Sequence, residues 1–283
     1  MIRIVTDSTA YLHEDIVKKF NISVVPLYVE INGKIYRERV DITDDAFYAM
    51  LSEGFTAKTS QPTTKDFLDV YRPILEEGDE VVSIHISSKL SGTVNAANAA
   101  KTLLETDRIT VIDSLSASED LAYKVEKAAE LAQSGKTRKE IARYIDAYYD
   151  RVFGYFLPQD INYLRRGGRI NNFQHAISNV LKLYFIVHLN EGRIDPLQIV
   201  RTEKRAKKEL MQLVKRFSEK GGGIERGGVV FGGNKEEGES YRKEVSEFLG
   251  VEMRSARIGP VLGAHLGPRF LGIAFVTKEE VKK

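Results

Sequence analysis

Hydrophobic and polar positions along the chain follow one rhythm up to about residue 151 and another after it. The apolar run Ile2 to Val5 ends in Thr6-Asp7-Ser8-Thr9, which predicts a short buried strand, with a helix following from about His13. Val24 to Val29 and Ile35-Tyr36 read as extended, and Asn32-Gly33 between them is a hairpin signal. Thr43 is the expected N-cap of a helix from Asp44 to Leu51. Lys58-Thr59-Ser60-Gln61-Pro62 reads as a polar loop, and Thr63-Thr64-Lys65-Asp66 as a capping box. Phe67, Leu68, Tyr71, Ile74 and Leu75 then recur at helical spacing. A strand from Val81 to Ile86, a small-residue loop from Ser87 to Thr93 and an alanine-rich helix from Val94 to Leu104 come next. Ile109 to Ile112 reads as a strand, followed by a long helix from about Ser116 to Gln133 and a second capping box at Thr137 to Glu140. Strands alternating with helices at these lengths predict an α/β/α unit with a mainly parallel sheet and helices on both faces.

Beyond Arg151 the pattern becomes that of an α+β unit. Tyr184 to Leu189 and Ile194 to Val200 flank Asn190-Glu191-Gly192-Arg193 and predict an antiparallel hairpin. A helix from Glu203 to Lys220, a strand from Gly228 to Phe231, another helix, a strand near Glu252 to Ile258 and a last strand from Leu271 to Val276 follow. The expected division is an α/β/α domain over 1–152 and an α+β domain over 153–283.

Composition narrows the function classes. The 283 residues are 42% hydrophobic and 29% charged, enough for two cores with a soluble surface. Forty-two basic residues nearly cancel 40 acidic ones, which argues against the concentrated basic face of a nucleic-acid binder. The absence of cysteine excludes disulfides, thiolate metal sites and cysteine nucleophiles. His13, His85, His175, His188 and His265 are scattered, so no metal site is expected. No apolar run approaches the roughly 20 residues that span a bilayer. With an opening strand in place of a signal peptide, the expectation is a cytoplasmic protein.

Ser87-Ser88-Lys89-Leu90-Ser91-Gly92-Thr93 stands between a strand and a helix at the C-terminal edge of a parallel sheet, where open α/β folds place ligands. Ser91, Gly92 and Thr93 would meet an anion with free N–H groups and hydroxyls, or one hydroxyl would simply cap the helix. Thr59 and Ser60 are hydroxyls left over by the cap at Thr63. Asp7 would serve as a general base or hold a loop by accepting backbone N–H bonds, the second use being favoured. Arg165-Arg166-Gly167-Gly168-Arg169 brings a guanidinium towards an anion or ends a helix with its basic turn. His265 stands in a loop of glycine, proline and small apolar residues, open to a structural or a functional role.

Taken in order, Val5-Thr6-Asp7-Ser8-Thr9-Ala10, Lys58-Thr59-Ser60-Gln61-Pro62, Ser87 to Thr93, Ile112-Asp113-Ser114, Tyr163 to Ile170 and Gly263-Ala264-His265-Leu266-Gly267-Pro268 resemble the DegV family over essentially the whole chain. The resemblance implies a long-chain fatty acid buried between the two domains as ligand, with no further cofactor. Its carboxylate would be held by the residues matching Thr59 and Ser91, with His265 nearby. Some members are acyl-carrying subunits of bacterial fatty acid kinases, in which a separate ATP-binding subunit phosphorylates the bound acid. The implied role is therefore a lipid-binding, non-catalytic subunit with a kinase partner, no nucleic acid and at most transient membrane-surface contact. Leu266, Arg269 and Glu119-Asp120 depart from the family pattern. Two alternatives stand beside this reading. One is a phosphate- or acyl-transfer enzyme using Asp7, Ser91 and His265, although no Gly-x-x-x-x-Gly-Lys-[Ser/Thr] motif is present. The other is a nucleic-acid-associated regulator using Arg165, Arg166, Arg169 and the helix around Arg201 to Lys208.

Overall fold

The computed structural model describes residues 1–158, 160–169 and 183–282. The first half is built on a parallel sheet with strand order β2-β1-β6-β7, where β1 is Ile2–Asp7, β2 Ser23–Val25, β6 Glu80–His85 and β7 Ile109–Asp113. Side chains alternate across it as strand geometry requires. Val5 and Val81 fill a core with Phe67 and Tyr71 of α3 (Thr64–Glu76) and Ala96, Ala97 and Ala100 of α4 (Thr93–Leu103). Ile4, Val82 and Ile84 fill another with Leu121, Val125 and Ala128 of α5 (Ser118–Gln133) and Ile141 and Ile145 of α6 (Arg138–Ala147). The capping boxes at Thr63 with Asp66 and Thr137 with Glu140 both form.

Three sequence expectations change here. The extended run Val24 to Val29 is broken at Pro26: β2 joins the parallel sheet, while β3 (Tyr28–Ile31) pairs with β4 (Lys34–Arg37) across Asn32 and Gly33, both at positive φ. Lys58-Thr59-Ser60 is not loop. It belongs to β5 (Ala57–Ser60), which pairs antiparallel with β3, Thr59 opposite Val29, so long-range pairing overrides a polar local sequence. The histidine-bearing segment is helical, α10 running Pro260–Leu266 with Pro260 in its first turn, a position proline favours.

The second half carries a mixed six-stranded sheet, order β10-β9-β8-β13-β11-β12. Its strands are β8 Val152–Pro158, β9 Tyr184–Asn190, β10 Arg193–Val200, β11 Ile224–Phe231, β12 Arg254–Arg257 and β13 Phe270–Thr277. One face packs on α8 (Glu203–Lys220) and α9 (Lys235–Leu249) through Leu210, Val214, Tyr241 and Val245. The other face, with Phe156, Val187, Phe270 and Ala274, turns toward the first half and meets Tyr123 of α5. That helix is therefore covered on two sides, which accounts for charged residues in its interior turns. Arg254 pairs with Glu119 and with Glu126 (2.8 Å), and Lys124 Nζ donates to Ser114 O at 2.6 Å. A short helix α7, Ile161–Arg166, ends just before Gly167 and Arg169. Ile170 and His175 lie outside the described residues.

Candidate functional site

A cavity of about 260 Å³ lies where the C-terminal edge of the parallel sheet, the β3–β5 sheet, α7, α10 and the inner face of the mixed sheet converge. Its walls are mostly apolar. Leu27, Ile86, Leu90, Phe156, Val187, Leu189, Ile194, Leu262 and Phe270 are among the lining side chains.

Its polar residues, Ser118 apart, belong to one cluster. Thr59 Oγ1 stands 2.7 Å from His265 Nε2. Gly167 packs against the other side of that imidazole, where a Cβ would run into Nδ1. Arg169 Nη1 donates to Gly167 O at 2.5 Å, and its Nε donates to Leu90 O at 3.3 Å. Gln61 lies over Gly92, where only a missing side chain leaves room for its amide. Ser91 Oγ is 2.8 Å from Thr93 Oγ1. Thr59, Ser60, Gln61, Ser91, Gly92, Arg169 and His265 all line the cavity. Thr93 does not; it is fully buried behind Ser91 and positions that hydroxyl.

Burial pushes His265 down to about 4, and the Arg169 guanidinium adds to the shift, so the imidazole is neutral at pH 7. A neutral imidazole carries one N–H, and its Nδ1 has no hydrogen-bond partner among the described residues. If Nε2–H donates to Thr59, the threonine hydroxyl is left to donate elsewhere. If Thr59 donates to Nε2, the proton sits on Nδ1. In both tautomers the pair keeps one donor in reserve. Ser91 gains the same freedom when Thr93 donates to it. Gly92 provides no side-chain cap for α4 and no acidic residue stands in that helix's first turn, so its dipole faces the same place unopposed. Two hydroxyls, a helix N-terminus and a guanidinium thus converge where a carboxylate would be well held.

Asp7 is elsewhere. It is wholly buried and accepts from Thr9 N, Thr9 Oγ1 and Ile86 N at 3.1, 2.5 and 2.9 Å, with His85 Nδ1 at 3.1 Å. Its role is to hold the turn after β1, the structural use favoured from the sequence. Ser83, His85 and Asp7 form a hydroxyl–imidazole–carboxylate chain, but all three are fully buried and none lines the cavity.

The helix carrying His265 is held from outside the cavity. Glu38 accepts from Val261 N at 2.7 Å and Tyr11 Oη at 3.0 Å, while Ser8 Oγ donates to it at 2.5 Å. Leu262 N donates in turn to Tyr11 Oη at 3.1 Å. Two free N–H groups of α10 are therefore already occupied. Burial pushes Glu38 up to about 7 despite these bonds and the neighbouring Arg39.

A model described as "Uncharacterised protein, DegV family" matches residues 1–278. The chain belongs to the DegV family. A DegV domain-containing protein of Listeria innocua is 36% identical over 281 residues, which is 98% of this chain and 99% of that one. Among solved structures, a DegV family protein from Thermus thermophilus, described by its fatty acid binding, is 34% identical with a TM-score of 0.89 over 98% of this chain and 99% of its own. A stearic-acid-binding protein from Eubacterium ventriosum reaches a TM-score of 0.91 at 29% identity, with the same coverage.

Sequence reasoning missed Gln61, Ser118 and most of the apolar wall. Gln61 was signalled by its place in the Thr59-Ser60-Gln61-Pro62 motif. Leu189, Ile194 and Phe270 carried no local signal, since each reaches the cavity only through the mixed sheet. Of the departures from the family pattern, Leu266 lines the cavity, whereas Arg269 points away from it to Glu237 at 3.3 Å. Among the described residues no helix is long and apolar enough to cross a membrane, and no group of three or more acidic or imidazole side chains is placed to hold a metal.

Proposed function

We propose that this DegV-family chain binds one long-chain fatty acid in the cavity, with the carboxylate held by Thr59 and Ser91. His265 and Arg169 complete the head-group end, and Ser60, Gly92 and Thr93 shape it. The observation that carries this reading is an apolar cavity whose polar groups, apart from Ser118, gather in one cluster of hydrogen-bond donors and a cation. An amphipathic acid needs this distribution: non-directional apolar burial for the tail and a few convergent donors for the head. The fatty-acid-binding relatives of the same fold support it. The chain would act in the cytoplasm as the lipid-binding partner of an ATP-binding kinase subunit. The absence of a phosphate-binding loop motif supports leaving the nucleotide to a partner, and Ser60 and Gln61 are exposed at the rim from which a phosphoryl group would arrive. With a division at residue 152, the ligand would lie between a domain of 1–152 and one of 153–283.

Denaturing extraction of the purified protein followed by mass spectrometry tests the reading. About one acyl chain per monomer is expected, and delipidated protein should take up added fatty acid. No extracted lipid together with no uptake would overturn it. Acyl phosphate should form only when a cognate kinase subunit and Mg-ATP are added; turnover by the chain alone would reverse the assignment as a non-catalytic subunit.

A further inference from the structure

A second polar point in the cavity lies outside the head-group cluster. Ala117 and Ser118, at the N-terminus of the 16-residue helix α5, line the cavity. Ser118 is only 3% exposed, and its hydroxyl has no hydrogen-bond partner among the described residues. A buried hydroxyl without a partner carries an unrelieved desolvation cost. The backbone at Ser118 is also held in the left-handed region, φ 57°, which a serine adopts at a cost. No side chain caps the helix, since the N-cap is Ala117. Ser118 shares no hydrogen bond with Thr59, Ser91, Arg169 or His265.

Charge decides what such a point can accept. Glu119 and Asp120 stand in the first turn of α5, and both are buried. They oppose the positive end of the helix dipole, so an anion is disfavoured there. A neutral group that donates or accepts one hydrogen bond is not. We propose that Ser118 is a subsite for a neutral oxygen substituent, a hydroxyl or keto group, on the bound acyl chain. The ligand class extends accordingly from plain fatty acids to singly oxygenated ones, and the proposal rests on the cavity being an acyl site.

The test uses delipidated full-length protein, stearic acid and a series of monohydroxystearic acids with the hydroxyl moved along the chain, with affinities from isothermal titration or competition. Ser118→Ala should leave stearic acid affinity within about twofold. It should weaken at least one hydroxystearic acid by about 5- to 150-fold, the range for leaving a buried hydroxyl unpaired. Ser118→Gly, which suits the positive φ, repeats the measurement should the alanine variant not fold. If every hydroxystearic acid responds no more than stearic acid does, the subsite is overturned while the fatty-acid reading stands. Failure of the native chain to bind stearic acid at all would remove the foundation of both.

Discussion

The N-termini of α4 and α5 open onto the same cavity from adjacent strands of one sheet, and they are furnished in opposite ways. Neither has a side-chain cap. At α4 the first turn has no acidic residue, and Ser91 and Gln61 stand beside Gly92 on the rim that also holds Thr59 and His265. At α5 the first turn holds Glu119 and Asp120, with Glu119 committed to Arg254. A dipole left open attracts an anion, and the same dipole answered by carboxylates does not. The topology supplies two similar helix ends, and a few side chains decide which of them is suited to a negative charge. A third helix, α10, also borders the cavity, but Glu38 and Tyr11 already occupy N–H groups at its start. What α10 contributes is a side chain, His265.

The largest expected effect comes from the walls and tests whether either helix end governs affinity at all. Shortening a 16-carbon acid to 8 carbons removes eight methylenes at about 0.8 kcal/mol each, so affinity should fall on the order of 10⁴-fold. A loss of tenfold or less, measured by competition, would mean that the polar helix ends and not the apolar walls dominate affinity.

Removing the charge that occupies α10 sharpens the contrast next. Unfolded, Glu38 loses its proton near 4.5; folded, near 7. Between those values the folded state binds more protons, so this group's contribution lowers stability as pH rises from about 4.5 to about 7 and is level above. Glu38→Gln lacks that slope. Across the window the native protein should lose about 3 kcal/mol relative to the variant, read from denaturant unfolding at a series of pH values. Parallel curves for the two proteins would show that Glu38 is not buried as described.

A smaller effect separates α4 from α5 directly. Thr59→Ala or Ser91→Ala should each weaken a plain fatty acid by roughly 10- to 150-fold, the value of a hydrogen bond to a charged group. Equal losses from Ser118→Ala would erase the distinction between the two ends.

Much of this arrangement was legible in the sequence because its signals are local. The capping boxes, the hairpin at Asn32-Gly33 and the turn from Ser87 to Thr93 are each written within a few residues. What stayed hidden depends on distant partners. Thr59 read as loop because the hairpin it pairs with lies some thirty residues away. Three glycines, at 259, 263 and 267, disguised α10, and its stabilising carboxylate is Glu38, more than two hundred residues earlier. The strand β8, buried along its whole length, was hidden by a Gly-Tyr-Phe run with no alternation to read. His265 could be singled out from its surroundings, but its pairing with Thr59 needed the fold.

The seat of the carboxylate can be seen in a crystal structure of the delipidated protein reloaded with a saturated fatty acid. A carboxylate oxygen is expected within about 3 Å of Thr59 Oγ1 and Ser91 Oγ, with the tail running along Phe156, Leu189 and Ile194. A carboxylate at Ser118 with the tail toward His265, or a fatty acid bound outside this cavity, would contradict it.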